Sequence, residues 1–283
     1  YPVKSFAGFT IQRSKVEPFG LQYDRRWMVV DAQTGDFISQ RSHPRMALIQ
    51  AETYKQRIRL RHKDGITLQV SIPDQNLQKT VTVWGDRCLS WDAGEEAACW
   101  LSELLQVECR LVYFPDDEVR QVDLDYAKAG DKTAFSDGFP LLLISQASLD
   151  DLNRRLDEPV EMLRFRPNLV VSGCEPFAED GWQRIRIGDV TMRVVKPCSR
   201  CSIPNVNPKN GRREKEPAKT LSQYRQRDNK IFFGHFQLAV DEIDLKIFEL
   251  SCSEVCFKLR KNAISIINIR IWESGGTSVN YLR

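Results

Sequence analysis

The feature that most limits the fold is a period-two alternation of apolar and polar residues, broken by two-residue turn pairs. Ile58 and Leu60 precede Asp64-Gly65, and Ile66, Leu68, Val70 and Ile72 follow it. Alternation puts one residue type on each face of a strand, and Asp-Gly suits the positive φ angles of a tight hairpin, so this segment reads as two antiparallel strands. The same pattern recurs at Ile185, Ile187, Gly188-Asp189, Val190, Met192 and Val194, with glycine first as a type II′ turn prefers. Trp27 to Val30, Pro140 to Ser145 and Leu169 to Val171 are further strand-like runs. Helical signals are few. Asp92 and Glu95 have capping-box spacing ahead of Ala97, Trp100, Leu101, Leu104 and Leu105 on one helical face. Ser148 and Asp151 predict a second cap, and Pro217 a third helix start before Leu221 and Tyr224. Many short strands with few helices predict a mainly β chain with some α (α+β) and a barrel-like architecture.

The acidic, polar stretch from Pro115 to Lys132 reads as a linker. It divides the chain into a part spanning 1–115, a part spanning 116–240 and a tail over 241–283. The balance of 41 Lys and Arg against 38 Asp and Glu leaves a net charge of +3, too small an excess for phosphate-backbone binding, so nucleic acid is not expected as a general partner. No apolar run approaches the ~20 residues of a membrane span, and no secretory signal opens the chain, so a cytoplasmic protein is expected. Tyr1 rather than Met comes first, inside a strand-like stretch, so a short preceding piece and any targeting signal in it are expected to be missing.

Eight cysteines are scattered mainly among apolar neighbours, which is not a secreted disulfide framework. Cys198 with Cys201, and more weakly Cys252 with Cys256, are spaced closely enough for chemistry. Lys196 and Arg200 would favour a thiolate at the first pair. Spacing alone leaves three other readings open: a redox pair, half of a structural zinc site, or two buried thiols. His43, His62 and His235 lack ligand spacing and read as structural.

Other polar groups sit at turn-like positions: Lys4-Ser5, Asp24-Arg25, Arg41, Arg45, Ser136-Asp137 and Arg166-Pro167-Asn168. Singly, each reads as a solvated or salt-bridged residue. Converging, they would suit an anionic polycyclic ligand with a phosphate tail, because guanidinium groups grip phosphate at two points and Asn or Asp can pair with heterocycle edges.

The segments YPVKS at the start, DRRW at 24–27, FSDGFPLLLIS from 135, FRPNLVVSGC from 165, AEDGW from 178, IGDV from 187, KPCSRC from 196 and KEPAKTLSQYRQ from 215 resemble the MOSC-domain proteins of the YcbX type. They are equally similar to the mitochondrial amidoxime-reducing component of animals. The likeness runs in order from Tyr1 to about Phe236. It implies a MOSC-type β-barrel with a β-rich MOSC N-terminal domain, a molybdenum cofactor, and reduction of N-hydroxylated compounds: hydroxylamines, amidoximes and N-hydroxylated bases. It makes Cys201 the thiolate ligand of molybdenum and leaves Cys198 outside the ligand set. Lys4, Ser5 and Arg25 match positions that contact the pterin and its phosphate, and Arg166, Asn168, Ser199 and Arg200 match further cofactor contacts. Asp137 falls where an acidic residue stands near the metal, which suggests a proton relay. Arg41 and Arg45 match an Arg-rich segment of less definite role.

Three departures bear on function. Gly138 replaces a polar residue, and Ser202-Ile203-Pro204-Asn205 replaces a more hydrophobic run, so a different substrate pocket is expected. The tail matches nothing in the resemblance, and Cys252 and Cys256 lack the spacing of a plant-type iron–sulfur cluster. Electrons are therefore expected from a separate ferredoxin-like or flavin reductase partner. Ile264 to Trp272 alternates as a strand, read as an edge or a partner-binding element. The competing functional readings are a cofactor-binding or sulfur-carrying protein without reductase activity, and a structural or zinc-bound β domain.

Overall fold

A computed structural model describes residues 1–11, 13–187, 190–239, 250–251, 269–273 and 278–281. Its N-terminal half holds two small antiparallel sheets besides the short pair Val16–Glu17 with Gly20–Leu21. Strands β1 (Trp27–Asp31), β5 (Gln78–Val83), β6 (Asp86–Asp92) and β7 (Cys109–Tyr113) form one, in the order β1-β7-β6-β5. Strands β2 (Ile49–Tyr54), β3 (Arg57–His62) and β4 (Thr67–Ser71) form the other. The Asp64-Gly65 hairpin forms as expected: Ile58 pairs with Val70 and Leu60 with Leu68, all four buried on one face.

Strand β1 shows why a continuous apolar run was needed there. Trp27 and Val29 enter a core shared with helix α1 (Glu95–Leu105) and the β2-β3-β4 sheet, whereas Met28 and Val30 enter a second core with Phe19, Phe114 and Phe135. A strand covered on both faces has no polar side to alternate with. Helix α1 packs Ala97, Leu101 and Leu105 into the first core, but its cap differs from the expectation. Gly94 is the N-cap residue, at φ 89°; the Asp92 carboxylate accepts from Gly94 N at 2.8 Å and from Arg110 of β7 at 2.7 and 2.9 Å.

Among the described residues, Leu250–Ser251 pairs with Arg13–Ser14 on its own, while the C-terminal half is built on one eight-stranded sheet. It contains β8 (Leu141–Ser145), β9 (Leu169–Val171), β10 (Trp182–Ile187), β11 (Val190–Ser199), β12 (Lys230–Ala239), β13 (Ile269–Glu273) and β14 (Ser278–Tyr281), in the order β9-β8-β12-β11-β10-β13-β14, with Gln226–Arg227 pairing on β12. Among the described strands of this sheet only β8 and β9 run parallel, and β8, like β1, is buried on both faces. The mainly-β expectation holds. Helix α2 (Gln146–Asn153) is capped by Ser145, which accepts from Ser148 N, rather than by Ser148 with Asp151; Asp151 instead pairs with Arg154 and Arg155. Pro217 precedes helix α3 (Ala218–Tyr224).

Ile187 pairs with Val190, leaving a two-residue connection; the turn type expected for Gly188-Asp189 lies outside the described residues. So do Cys252, Cys256 and residues 264–268. The remainder of the expected tail strand is not an edge: β13 pairs with β10 on one side and β14 on the other. Within the stretch read as a linker, Arg120 and Val122 are buried, and Gln121 bridges to Lys132.

Candidate active-site cleft

Strand β11 carries the chain out of the sheet at Ser199, and the two cysteines that flank this exit fall in opposite surroundings. Cys198 is buried beside Phe165, Leu221 and Phe233, and burial pushes its thiol pKa up. Cys201 is exposed on the wall of a cleft of about 360 Å³ between the two halves. Both thiols are free. No group of three or more His, Cys, Asp or Glu side chains gathers for a metal among the described residues, so they supply no zinc site of protein ligands alone.

Six cations line the same cleft: Lys4, Arg25, Arg41, Arg166, Lys196 and Arg200. They arrive from turns whose backbone is fixed independently. Arg25 and Arg166 both adopt positive φ, 48° and 57°, and are locked together by Arg25 Nη2 donating to the Arg166 carbonyl at 3.0 Å. Arg25 also pairs with Asp24, and both guanidinium groups stack on Tyr1, at 4.5 and 4.3 Å from its centroid. Arg166 Nη1 donates to the Phe6 carbonyl at 2.5 Å. Burial and the neighbouring Arg25 lower the Arg166 pKa to about 10.

Among the described residues lining the cleft, three buried guanidinium nitrogens have no acceptor: Arg41 Nη1, Arg166 Nη2 and Arg200 Nε. Leaving a buried donor unsatisfied costs about 1–3 kcal/mol, more when it is charged. Such a set is complementary to an anionic, acceptor-rich ligand. The exposed thiol beside it is a side chain of the type that soft metals favour.

Asp137 occupies the front of the cleft. It accepts from Lys4 Nζ at 2.5 Å, Trp84 Nε1 at 3.1 Å and Arg41 Nη2 at 3.3 Å. Burial alone would raise its pKa, but Lys4 and Arg41, with the Lys4 and Trp84 hydrogen bonds, hold it well below the carboxylate range. Lys4 is itself buried and brought down to about 8, because desolvation outweighs the attraction of Asp137. Arg41 Nη2 also lies 3.3 Å from Cys201 Sγ.

Comparison with known proteins places this arrangement. Residues 1–108 match the model of the MOSC N-terminal beta barrel domain and residues 130–245 that of the MOSC domain. Mitochondrial amidoxime-reducing component 1 of Mus musculus is 36% identical over 237 residues, covering 80% of this chain and 69% of that protein. The chain belongs to the MOSC family. The Homo sapiens amidoxime-reducing component 1 is also 36% identical, over 81% of this chain and 71% of that protein. Molybdenum cofactor sulfurase of Oryza sativa subsp. japonica is 33% identical over 83% of this chain but only 31% of that longer protein.

In this MOSC protein Lys4, Ser5, Arg25, Asp137, Arg166, Asn168, Ser199, Arg200 and Cys201 all line one cleft. They are not equivalent. Asn168 already receives Leu142 N at 3.1 Å and donates to Asp24 at 2.9 Å, so its amide braces the turn. Arg200 gives Nη2 to the Phe165 carbonyl at 2.7 Å and Nη1 to Cys198 Sγ at 3.1 Å, leaving Nε. Arg41 joins the cleft, whereas Arg45 is outside it, its Cα packed 3.4 Å from the Cβ position of Gly211.

Two residues went unread in the sequence. Arg120, hidden in the acidic stretch, is 5% exposed and donates to the carbonyls of Ala134, Ser136 and Asp137 at 3.0, 2.6 and 3.0 Å. It fixes the loop that presents Asp137. Trp84 sits at a hairpin tip, where an aromatic before glycine was the available signal. Lys196, read only as a neighbour of the cysteines, places its amine 4.2 Å from the Tyr126 ring centroid.

Proposed function

We propose that this MOSC protein binds the molybdenum cofactor in the cleft, with Cys201 as the protein thiolate ligand of molybdenum, and reduces N-hydroxylated compounds to the parent amines or, from amidoximes, amidines. The observation that carries the reading is the exposed, free Cys201 beside three buried guanidinium donors that lack acceptors. Relatives named for amidoxime reduction, at 36% identity, support the choice of reaction.

Arg166 and Arg25 would hold the anionic end of the cofactor, with Lys4, Ser5, Ser199 and Arg200 along its length. When bound, the cofactor supplies two-electron redox chemistry at the metal. The overall change, R–NHOH with two electrons and two protons giving R–NH2 and water, draws its electrons from a separate donor protein. The chain's part is to fix geometry and manage protons. Asp137, ionised and held by three donors, is a poor acid in this arrangement, so the proton relay expected of it belongs to the Lys4–Asp137 pair. The proton rests on Lys4 Nζ, whose pKa of about 8 leaves it loaded near neutrality yet able to release.

The test is expression in cells that make the cofactor, followed by metal analysis, a Mo(V) spectrum and turnover of an amidoxime with an artificial donor. Stoichiometric molybdenum, a spectrum altered by Cys201→Ser and amidoxime reduction are expected. Molybdenum without turnover would instead fit cofactor binding or sulfur carriage, the reading favoured by the cofactor sulfurase relative. A spectrum indifferent to Cys201→Ser would remove the ligand assignment.

A further inference from the structure

The hairpin between β5 and β6 closes tightly, since Val83 pairs with Asp86 and only Trp84 and Gly85 lie between. Both loop residues have positive φ, 56° and 93°, the pattern of a type I′ turn, for which Asn-Gly is the favoured sequence. A bulky residue at positive φ is uncommon because its Cβ crowds the backbone. The indole is 50% exposed, so burial offsets this only in part and half of its surface is left open. Strain of this kind persists where neighbouring contacts hold it, and it gathers at working sites.

The ring is held on several sides. Its Nε1 donates to Asp137 Oδ1 at 3.1 Å, the Arg41 guanidinium lies 4.5 Å from the ring centroid, and the Phe37 ring is tilted against it at 5.0 Å. Arg41 in turn reaches Cys201 Sγ at 3.3 Å. A rigid aromatic surface is thus fixed one guanidinium away from the thiol, on the wall of the cleft. On the same wall Gly138 has nothing within 4 Å of the place where a Cβ would stand, which leaves room for a ligand.

We propose that Trp84 is the specificity-determining platform of the cleft, on which the flat, conjugated part of a substrate stacks while its N-hydroxyl group is presented toward Cys201. This rests on the reductase reading above. Stacking on an indole accepts many ring types but rewards planarity. The favoured class is therefore planar, π-conjugated N-hydroxylated compounds, such as aryl amidoximes and N-hydroxylated heteroaromatic bases, over saturated or very small hydroxylamines. Arg41 acts as a positioning residue that steadies the ring.

Two variants separate this role from a structural one. Trp84→Asn removes the ring while installing the residue the turn prefers, and Trp84→Phe keeps an aromatic face. With holoprotein normalised to molybdenum content, kcat/KM is measured for benzamidoxime and for hydroxylamine with an artificial donor, and benzamidoxime binding is measured by calorimetry without a donor. Trp84→Asn is expected to lower the benzamidoxime-to-hydroxylamine ratio of kcat/KM at least tenfold, equivalent to about 1.4 kcal/mol. The loss should lie mainly in the KM for benzamidoxime, with a tenfold weaker calorimetric affinity and a Tm at or above that of the unaltered protein. Trp84→Phe should keep the ratio within about threefold, since an aromatic face remains. An unchanged ratio and affinity in Trp84→Asn overturns the proposal. Where no form reduces either substrate, weaker benzamidoxime binding by Trp84→Asn still supports the platform while the reductase reading fails; equal binding sinks the platform regardless of turnover.

Discussion

The deep and front ends of the cleft are both cationic but balanced differently. At the deep end Arg166 and Arg200 retain buried nitrogens without acceptors, while their other donors are bonded to backbone carbonyls of Phe6 and Phe165. At the front, Lys4 and Arg41 share the carboxylate of Asp137. The Arg166–Arg200 end is held open as a socket for negative charge, whereas the front, where Arg41 Nη1 also lacks an acceptor, is largely neutralised by Asp137 and offers an aromatic wall. An anionic cofactor and an uncharged substrate would sort themselves between two such ends by electrostatics alone.

Several changes would break or sharpen that contrast, beginning with the largest. Cys201→Ala is expected to reduce N-hydroxyl turnover by more than about 100-fold, since even residues standing behind metal ligands are worth 10–100-fold. Cys198→Ala should retain molybdenum and lose about 1 kcal/mol of stability from its buried site. Equal losses from the two cysteines would erase the distinction between them.

Arg166→Ala should weaken cofactor retention by about 10–100-fold, the worth of a charged hydrogen bond. The Tm of the cofactor-free form should hold or rise, because a buried, incompletely satisfied charge has been removed. Arg120→Ala carries the opposite signature. Removing it strands three carbonyls, so about 2 kcal/mol of stability should go in both cofactor-free and cofactor-loaded forms, read by denaturant unfolding.

Asp137→Asn probes the front through pH. Lys4, at about 8, should release its proton as the pH rises, so kcat/KM of the unaltered protein falls through that value. Without the carboxylate that raises it, Lys4 should titrate lower and the fall should move to lower pH. Stability has its own sign. Asp137 is held below the ordinary carboxylate range, so its contribution is present above the unfolded value of 3.8 and disappears as the pH drops through the folded one. The Tm gap between Asp137→Asn and the unaltered protein should therefore narrow in acid. Arg45→Ala, outside the cleft, should change stability by no more than about 0.5 kcal/mol and leave cofactor retention intact.

Much of the site was legible because its parts sit in short, distinctive segments. The Cys198-Cys201 pair stood at the end of a readable hairpin, and Lys4, Arg25 and Arg166 stood at turns, where backbone bends aim side chains off the sheets. The helix caps were misread for a tertiary reason. Asp92 looked like a cap by spacing, but its carboxylate accepts from Gly94 N and from a strand neighbour, Arg110. Arg120 escaped notice because an arginine among acids reads as a surface ion pair until its burial is known. The alternation of the tail strand allowed an edge or a partner-binding element, because pairing on a strand's far side leaves no local trace in its own residues.

Period-two patterning, turn pairs and doubly covered apolar runs such as Leu141–Ser145 determined a β-rich chain, since these depend only on neighbours along the backbone. Which cleft cysteine is exposed, which guanidinium nitrogens lack acceptors, and which donors surround Asp137 were decided only by the fold. Burial and charge pairing are properties of residues brought together from separate segments, as when Arg41, Trp84, Asp137 and Cys201 meet at one wall. The alternation of side chains along a strand fixes which residues turn inward, but not what they meet there.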